Sequence, residues 1–253
     1  MPFVRQRGLT FHVQRLGTAG PPVVMLHGLL VGSMTTWYFG AASHLAERAR
    51  VLLYDLRGHG KSERPATGYG LAEMAADLEA LLDLHFGDEP ATLVGHSWGA
   101  LTALRFALRR PGRVARLVLV EAPLPPSQLS ELDSFVRRPP AEMAEALPEP
   151  LRSAFARGGR ASQKLALQLT GLAGSTSILA DLAAEVDIPD DVLARAPASP
   201  LLVYGDRSSC RATGERLARL VPGARLMVLA GGHFLPTEAG PALTATLVEA
   251  LRA

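Results

Sequence analysis

The strand-like run Ala91-Thr92-Leu93-Val94 passes without a spacer into Gly95-His96-Ser97-Trp98-Gly99. Helix-patterned sequence then follows at once, from Trp98 to Arg109. Few chain paths accommodate that succession. A strand that reverses into a helix around a serine forces that serine into a strained backbone conformation, and its neighbours must be small; glycine on both sides meets the demand. The side chain then stands clear at the strand's carboxyl end, with the following amide, that of Trp98, facing the same space. A Gly-rich turn without chemical consequence would show the same letters. The strand directly before and the helix directly after favour a nucleophile at Ser97.

Around this element, short apolar runs alternate with longer helical patterns, the signature of an α/β fold with a mostly parallel sheet flanked by helices. Strands are expected at Leu9 to Leu16, Val23 to Leu26, Val51 to Tyr54, Leu117 to Val120, Leu201 to Tyr204 and Leu226 to Leu229. Leu71, Met74, Ala75, Leu78, Leu81 and Leu82 recur at helical spacing and predict an amphipathic helix to Phe86. A last helix is expected from Ala239 to Leu251. Between Pro123 and Pro200 the pattern changes. Prolines flank and punctuate the stretch, short helices are expected at Gln163 to Leu172 and Ile178 to Ala184, and no strand-like run occurs. This reads as a helical insertion, 123–198, between two parts of one core, 1–122 and 199–253.

Composition narrows the class of partner. With 26 basic and 24 acidic side chains the formal net charge is +2, and the basic residues are scattered. Nucleic-acid binding, which calls for a clustered basic footprint, is not expected. No apolar run is long enough to span a bilayer, and Met1 to Arg7 lacks the apolar core of a secretory signal. The lone Cys210 cannot form an internal disulfide, and packing is its commonest use. A cytoplasmic location is the expectation. The sequence does not speak to oligomeric state.

Acyl transfer at Ser97 needs two preorganised N–H donors for a developing oxyanion, one after the nucleophile and one from an early loop. His27-Gly28-Leu29 closes the Val23 to Leu26 strand, so the amides of Leu29 and Trp98 are the expected pair. Seven histidines compete for the role of general base. His12, His44 and His85 fall on expected strand or helix surfaces, and His96 and His27 sit within the two loops as structural residues. His233, in Gly231-Gly232-His233-Phe234 after the last strand, gives the chain order Ser, acid, His that such a scaffold requires.

The His-Gly loop, the segment Asp55-Leu56-Arg57-Gly58-His59-Gly60-Lys61-Ser62, the serine turn and the Gly-Gly-His loop together resemble the α/β-hydrolase superfamily over essentially the whole chain. Gly60-Lys61-Ser62 is not a phosphate loop, because Asp55 stands where that motif needs glycine. The resemblance implies an eight-stranded, mostly parallel sheet with helices on both faces and a helical lid inserted after strand 6. It also implies hydrolysis of an ester or thioester of a hydrophobic small molecule through an acyl-enzyme, with no metal and no cofactor. Epoxide hydrolases and dehalogenases of this fold are less similar, since they place Asp where Ser97 stands.

The acid is the point of departure. In the superfamily it usually lies three residues beyond the glycine that ends strand 7, and here that position holds Ser208. Glu121, at the end of strand 6, is the favoured substitute, with Asp206 as the alternative. Ser208 also keeps two other functions open: a binding protein with a degenerate triad, and non-hydrolytic chemistry (lyase, acyltransferase or perhydrolase) on the same scaffold.

Overall fold

The computed structural model describes residues 2–124, 170–196 and 199–252, with isolated residues between 138 and 167. Eight strands form one sheet: β1 (Phe3–Gln6), β2 (Leu9–Leu16), β3 (Pro22–Leu26), β4 (Arg50–Tyr54), β5 (Ala91–His96), β6 (Val114–Val120), β7 (Leu201–Gly205) and β8 (Arg225–Leu229). Their order is β1-β2-β4-β3-β5-β6-β7-β8. The pairs β1–β2 and β2–β4 are antiparallel, and every other pair is parallel. The expected α/β sheet of eight mostly parallel strands is therefore the one observed.

The helices are α1 (Thr35–Tyr38), α2 (Ala41–Leu45), α3 (Leu71–Phe86), α4 (Trp98–Arg109), α5 (Ile178–Ala183), α6 (Asp190–Leu193), α7 (Arg211–Leu220), α8 (Leu235–Glu238) and α9 (Gly240–Arg252). The period-2 alternation of the strands distributes them over the two faces. Val24, Leu26, Leu52, Tyr54, Leu93, Leu117, Leu119, Leu202 and Tyr204 face one apolar layer with α3, α4 and α7. Val23, Met25, Val51, Leu53, Val94, Val118, Val120, Leu201 and Val203 face the other, with Trp37 and Leu45 of the α1–α2 pair and Leu243 and Leu247 of α9. Strands β3 and β7 are buried along their whole length, so their sequences read as continuous apolar runs rather than as alternation.

One strand was not anticipated. β1 is four residues of alternating partial exposure, too short and too polar to register as a strand, and it is held by hairpin pairing to β2 across Arg7-Gly8, both at positive φ.

Of the stretch read as a lid, residues 170–175 are helical and α5 and α6 follow, while the expected helix from Gln163 and its Leu169 lie mostly outside the described residues. The described part is docked into the core. Leu172, Ile178, Leu182, Ile188 and Leu193 are buried in the α3–α4 layer. Asp181 and Glu185 accept the backbone N–H groups of Tyr69 and Leu71 at 2.7 Å and 2.6 Å, satisfying donors at the start of α3. Among the described residues, no helix is long and apolar enough to cross a membrane.

Candidate active site

Two adjacent strands end in non-glycine residues with left-handed backbone, and both side chains rise at the carboxyl edge of the sheet. Ser97 follows β5 with φ 54° and ψ −120°, and Glu121 follows β6 with φ 56°. Such conformations persist only where the surroundings over-determine them. At Ser97 the backbone N–H is tied to the Val120 carbonyl at 2.8 Å. The flanking glycines leave room that no other residue would. A Cβ on Gly95 would sit 2.4 Å from the Gly99 carbonyl oxygen, and one on Gly99 would sit 2.6 Å from that of His27. At Glu121 the backbone N–H donates to Val203 O at 3.0 Å, so the residue bridges to β7 before the chain leaves the sheet.

His233 stands between the two. Its Nε2 lies 2.9 Å from Ser97 Oγ and its Nδ1 lies 3.3 Å from Glu121 Oε2. Glu121 is fully buried and receives two further donors: Gly205 N–H at 2.5 Å to Oε1, and the Ser208 hydroxyl to Oε2. Ser208, at the position where an acid was expected, therefore acts as a clamp on the Glu121 carboxylate. The Cys210 N–H donates to Ser208 Oγ at 3.0 Å and fixes that hydroxyl in turn. Asp206 is exposed and points elsewhere; it accepts Gly231 N–H at 2.8 Å and so shapes the backbone that carries His233. Between the two carboxylates weighed from sequence, the structure brings Glu121 to the imidazole.

The electrostatics of the imidazole have opposing causes. Burial alone would hold the His233 pKa down. The hydrogen bonds with Cys210 and Glu121, together with the negative charge of Glu121, outweigh burial and raise it above the ordinary imidazole value.

The loop from His27 to Leu30 is held against Ser97 by a lattice of neutral histidines. A Cβ on Gly28 would fall 3.2 Å from Ser97 Cβ and 3.1 Å from His96 Nδ1, so the backbone itself forms the wall there. His27 Nδ1–H donates to Gly28 O at 2.7 Å while its Nε2 accepts Leu56 N–H at 2.9 Å. His59 Nδ1–H donates to Arg57 O at 2.8 Å while its Nε2 accepts Leu30 N–H at 2.8 Å. That second bond steadies Leu30, whose φ is 65°. Each ring must be neutral to act as donor and acceptor at once. Burial enforces this, lowering His27 and pushing His59 down to about 3. The N–H groups of Leu29 and Trp98, the expected oxyanion donors, make no hydrogen bond among the described residues. His96 Nε2–H donates to the His233 carbonyl at 2.8 Å, and burial together with the nearby His233 ring lowers its pKa to about 3.

Several residues of this frame were not singled out from the sequence. Asp55 is buried and collects Met34 N–H at 2.7 Å, Lys61 N–H at 3.0 Å and His12 Nδ1 at 2.7 Å. His12 was expected on a strand surface; it is buried because that carboxylate holds it. Arg57 and Asp77 form a buried bidentate pair at 2.6 Å and 2.7 Å. The signal available was the Asp55 to Ser62 segment as a whole, with polar residues crowded directly after a fully apolar strand.

A family model described as the alpha/beta hydrolase fold matches residues 21–156, more than half of the chain. The chain belongs to the alpha/beta hydrolase family. A crystal structure of a hydrolase from Pseudomonas aeruginosa PA01 superposes on this alpha/beta hydrolase with a TM-score of 0.80 at 26% identity, covering 100% of this chain and 98% of that one. A thermophilic esterase from Thermogutta terrifontis gives a TM-score of 0.77 at 25% identity, covering 99% and 96%. In sequence, the mouse protein epoxide hydrolase 4 is 31% identical over 144 residues, which is 55% of this chain and 38% of that protein. The chain spans only about a third of the length of the curated relatives it matches.

The chain presents a cavity of about 1330 Å³ at the Ser97 edge of its sheet. It runs from the His27 loop across to the face between α2 and α9, and Leu29, Phe39, Phe234, Ala245 and Val248 contribute its apolar walls. No carboxylate lines it among the described residues, and Arg138 is the one lysine or arginine that does. Leu172 does not line it; that side chain packs at Gly58 beside Tyr69 instead.

Proposed function

We propose that this alpha/beta hydrolase cleaves a carboxylic ester or thioester of a hydrophobic small molecule through an acyl-enzyme on Ser97. The observation that carries the reading is the continuous relay from Ser97 Oγ to His233 Nε2 at 2.9 Å, and from His233 Nδ1 to the buried Glu121 at 3.3 Å. In the first step Ser97 Oγ attacks the acyl carbon while His233 Nε2 takes its proton. Glu121 holds the Nδ1–H and stabilises the imidazolium that forms. The N–H groups of Leu29 and Trp98 receive the charge that develops on the acyl oxygen. His233 then returns the proton to the leaving oxygen or sulfur, and a water activated by the same nitrogen releases the acid.

The esterase of Thermogutta terrifontis, similar over nearly the whole chain, agrees with this reading. Epoxide opening through an alkyl-enzyme ester would need a carboxylate at the turn where Ser97 stands, which weighs against carrying over the name of the mouse relative. A cavity with apolar walls and, among the described residues, no lining carboxylate suits an uncharged, lipophilic acyl group. The stretch 123–198 is read as a lid that sets substrate preference while the sheet carries the chemistry.

The test is labelling with a fluorophosphonate together with hydrolysis of a series of p-nitrophenyl esters from acetate upward. One phosphonyl group on Ser97, with turnover rising as the acyl chain lengthens beyond acetate, is expected. An unlabelled serine and no ester turnover would instead support a binding protein.

A further inference from the structure

Cys210 stands beside the relay and the mechanism above makes no use of its sulfur. It is buried, it borders the cavity, and its Sγ lies 3.4 Å from His233 Nδ1, the nitrogen that also faces Glu121 at 3.3 Å. Sulfur, imidazole nitrogen and carboxylate oxygen therefore converge on one point, and all three ligand atoms lie within 4.8 Å of one another. A tetrahedral zinc ion with Zn–S of about 2.3 Å and Zn–N and Zn–O of about 2.0 to 2.2 Å separates its ligands by about 3.4 to 3.6 Å. The N···O and S···N distances are already close to those edges. Closing the third edge asks for rotation of the Cys210 side chain and for Glu121 Oε2 to exchange the Ser208 hydroxyl for the metal.

We propose that Glu121, Cys210 and His233 form an inhibitory site for a thiophilic divalent cation of the Zn²⁺ kind. The fourth position, on the cavity side where Cys210 and His233 are lined up, is left to water. Three protein ligands and one water make an open site, and the mixed sulfur, nitrogen and oxygen set favours Zn²⁺ over Mg²⁺ or Ca²⁺.

The consequence for the chemistry rests on the reading of Ser97 and His233 given above. Binding releases the thiol proton of Cys210 to solvent, because the thiolate is the ligand. It also requires the lone pair of His233 Nδ1, so any proton on that nitrogen is released and the ring keeps one only at Nε2. Nε2 then donates to Ser97 Oγ instead of accepting from it, and the serine loses its base. The same ion occupies the carboxylate that would stabilise an imidazolium. Nothing is oxidised or reduced, and chelation reverses the state.

The experiment titrates Zn²⁺ into the wild-type chain, Ser97→Ala, Cys210→Ala and Cys210→Ser by calorimetry. Ester turnover of the wild type is followed with and without excess chelator, and each variant's fold is checked by circular dichroism. One equivalent is expected to bind the wild type and Ser97→Ala equally, since the serine is not a ligand. Both Cys210 variants should bind at least about 100-fold more weakly, the upper end of what loss of even an outer-shell partner costs. Co²⁺ in place of Zn²⁺ should give a thiolate charge-transfer band that both Cys210 variants lack. Wild-type turnover should fall as the site fills and return with chelator. Equal affinity in the Cys210 variants, or no thiolate band, overturns the site; full turnover by the zinc-loaded enzyme overturns its inhibitory role. Binding is read on Ser97→Ala without any activity, so a failure of the hydrolase reading leaves the metal result standing on its own.

Discussion

Glu121 reaches His233 because its backbone turns left-handed at the end of β6, and it stays there because Gly205 and Ser208 occupy both of its oxygens. Glu121→Gln should therefore lower turnover by about 10³ to 10⁴, the scale of a neutralised triad acid. Asp206→Asn, which only loosens the Gly231 turn, should cost less than about tenfold, below the usual range for a group in the proton relay. Measured on one activated ester, the reverse ranking would transfer the role to Asp206. The pH profile carries the same logic. The base acts as neutral imidazole, so kcat/KM should climb with pH as His233 gives up its proton, and its raised pKa places that limb on the alkaline side. Removing the charge of Glu121 removes one cause of the elevation, so the limb in Glu121→Gln should move to lower pH. An unmoved limb would mean the two groups are not coupled. The contact of Ser97 with His233 at 2.9 Å was legible in the sequence because each sits in a loop whose glycines have a geometric reason. Glu121 was only the favoured of two carboxylates to lie at the imidazole, since side-chain direction at a strand end depends on one backbone angle that the letters Val120-Glu121-Ala122 do not encode. Ser208 looked like a defect for the same reason: its carboxylate partner is 87 residues away.

At the scale of the element, the β5–α4 turn is the most demanding piece of the fold. A methyl group on Gly95 or Gly99 has nowhere to go, since its closest neighbours are carbonyl oxygens and backbone atoms rather than movable side chains. Gly95→Ala and Gly99→Ala should each destabilise the chain by about 1 to 3 kcal/mol, the range for overpacking. Both should remove most ester turnover by displacing Ser97. A urea midpoint and turnover within error of the wild type would show that the turn is looser than drawn. Helices α3 and α4 were legible to their ends because their apolar periodicity is long and their stops are marked by Gly87 and Pro111. β1 was not, because four half-exposed residues take their conformation from pairing with β2 rather than from their own pattern. In the stretch read as an insertion, the Pro-rich composition agrees with the lack of a strand among its described residues. It did not reveal that 170–196 packs into the core, which depends on where α3 presents its free N–H groups.

Across the whole molecule, alternation along β3, β4, β6 and β7 sorts the core into two layers and brings β5, β6 and the β8–α8 loop to one edge. That edge is framed by buried histidines, and the frame has a thermodynamic signature. His27, His59 and His96 are held below the ordinary value of 6.5, His59 and His96 at about 3. The unfolded chain therefore binds protons that the folded one refuses. The contribution of His59 and His96 is complete above about pH 6.5 and is lost as pH falls toward 3, by about 1.4 kcal/mol per pH unit for each of the two; that of His27 has the same sign. His233 has the opposite sign: its raised pKa adds stability below its unfolded value, lost as pH rises through the folded one. A falling urea midpoint from pH 6.5 to pH 5, above the titration of ordinary carboxylates, is the expected net result, and a flat one would contradict the neutral frame. The proposed chemistry turns on Ser97. The most direct measurement is the turnover of folded Ser97→Ala on an activated ester beside the wild type. A fall on the order of a millionfold, to background, is predicted for a nucleophile acting with its base as a unit; retention of more than about a tenth of wild-type activity would contradict it.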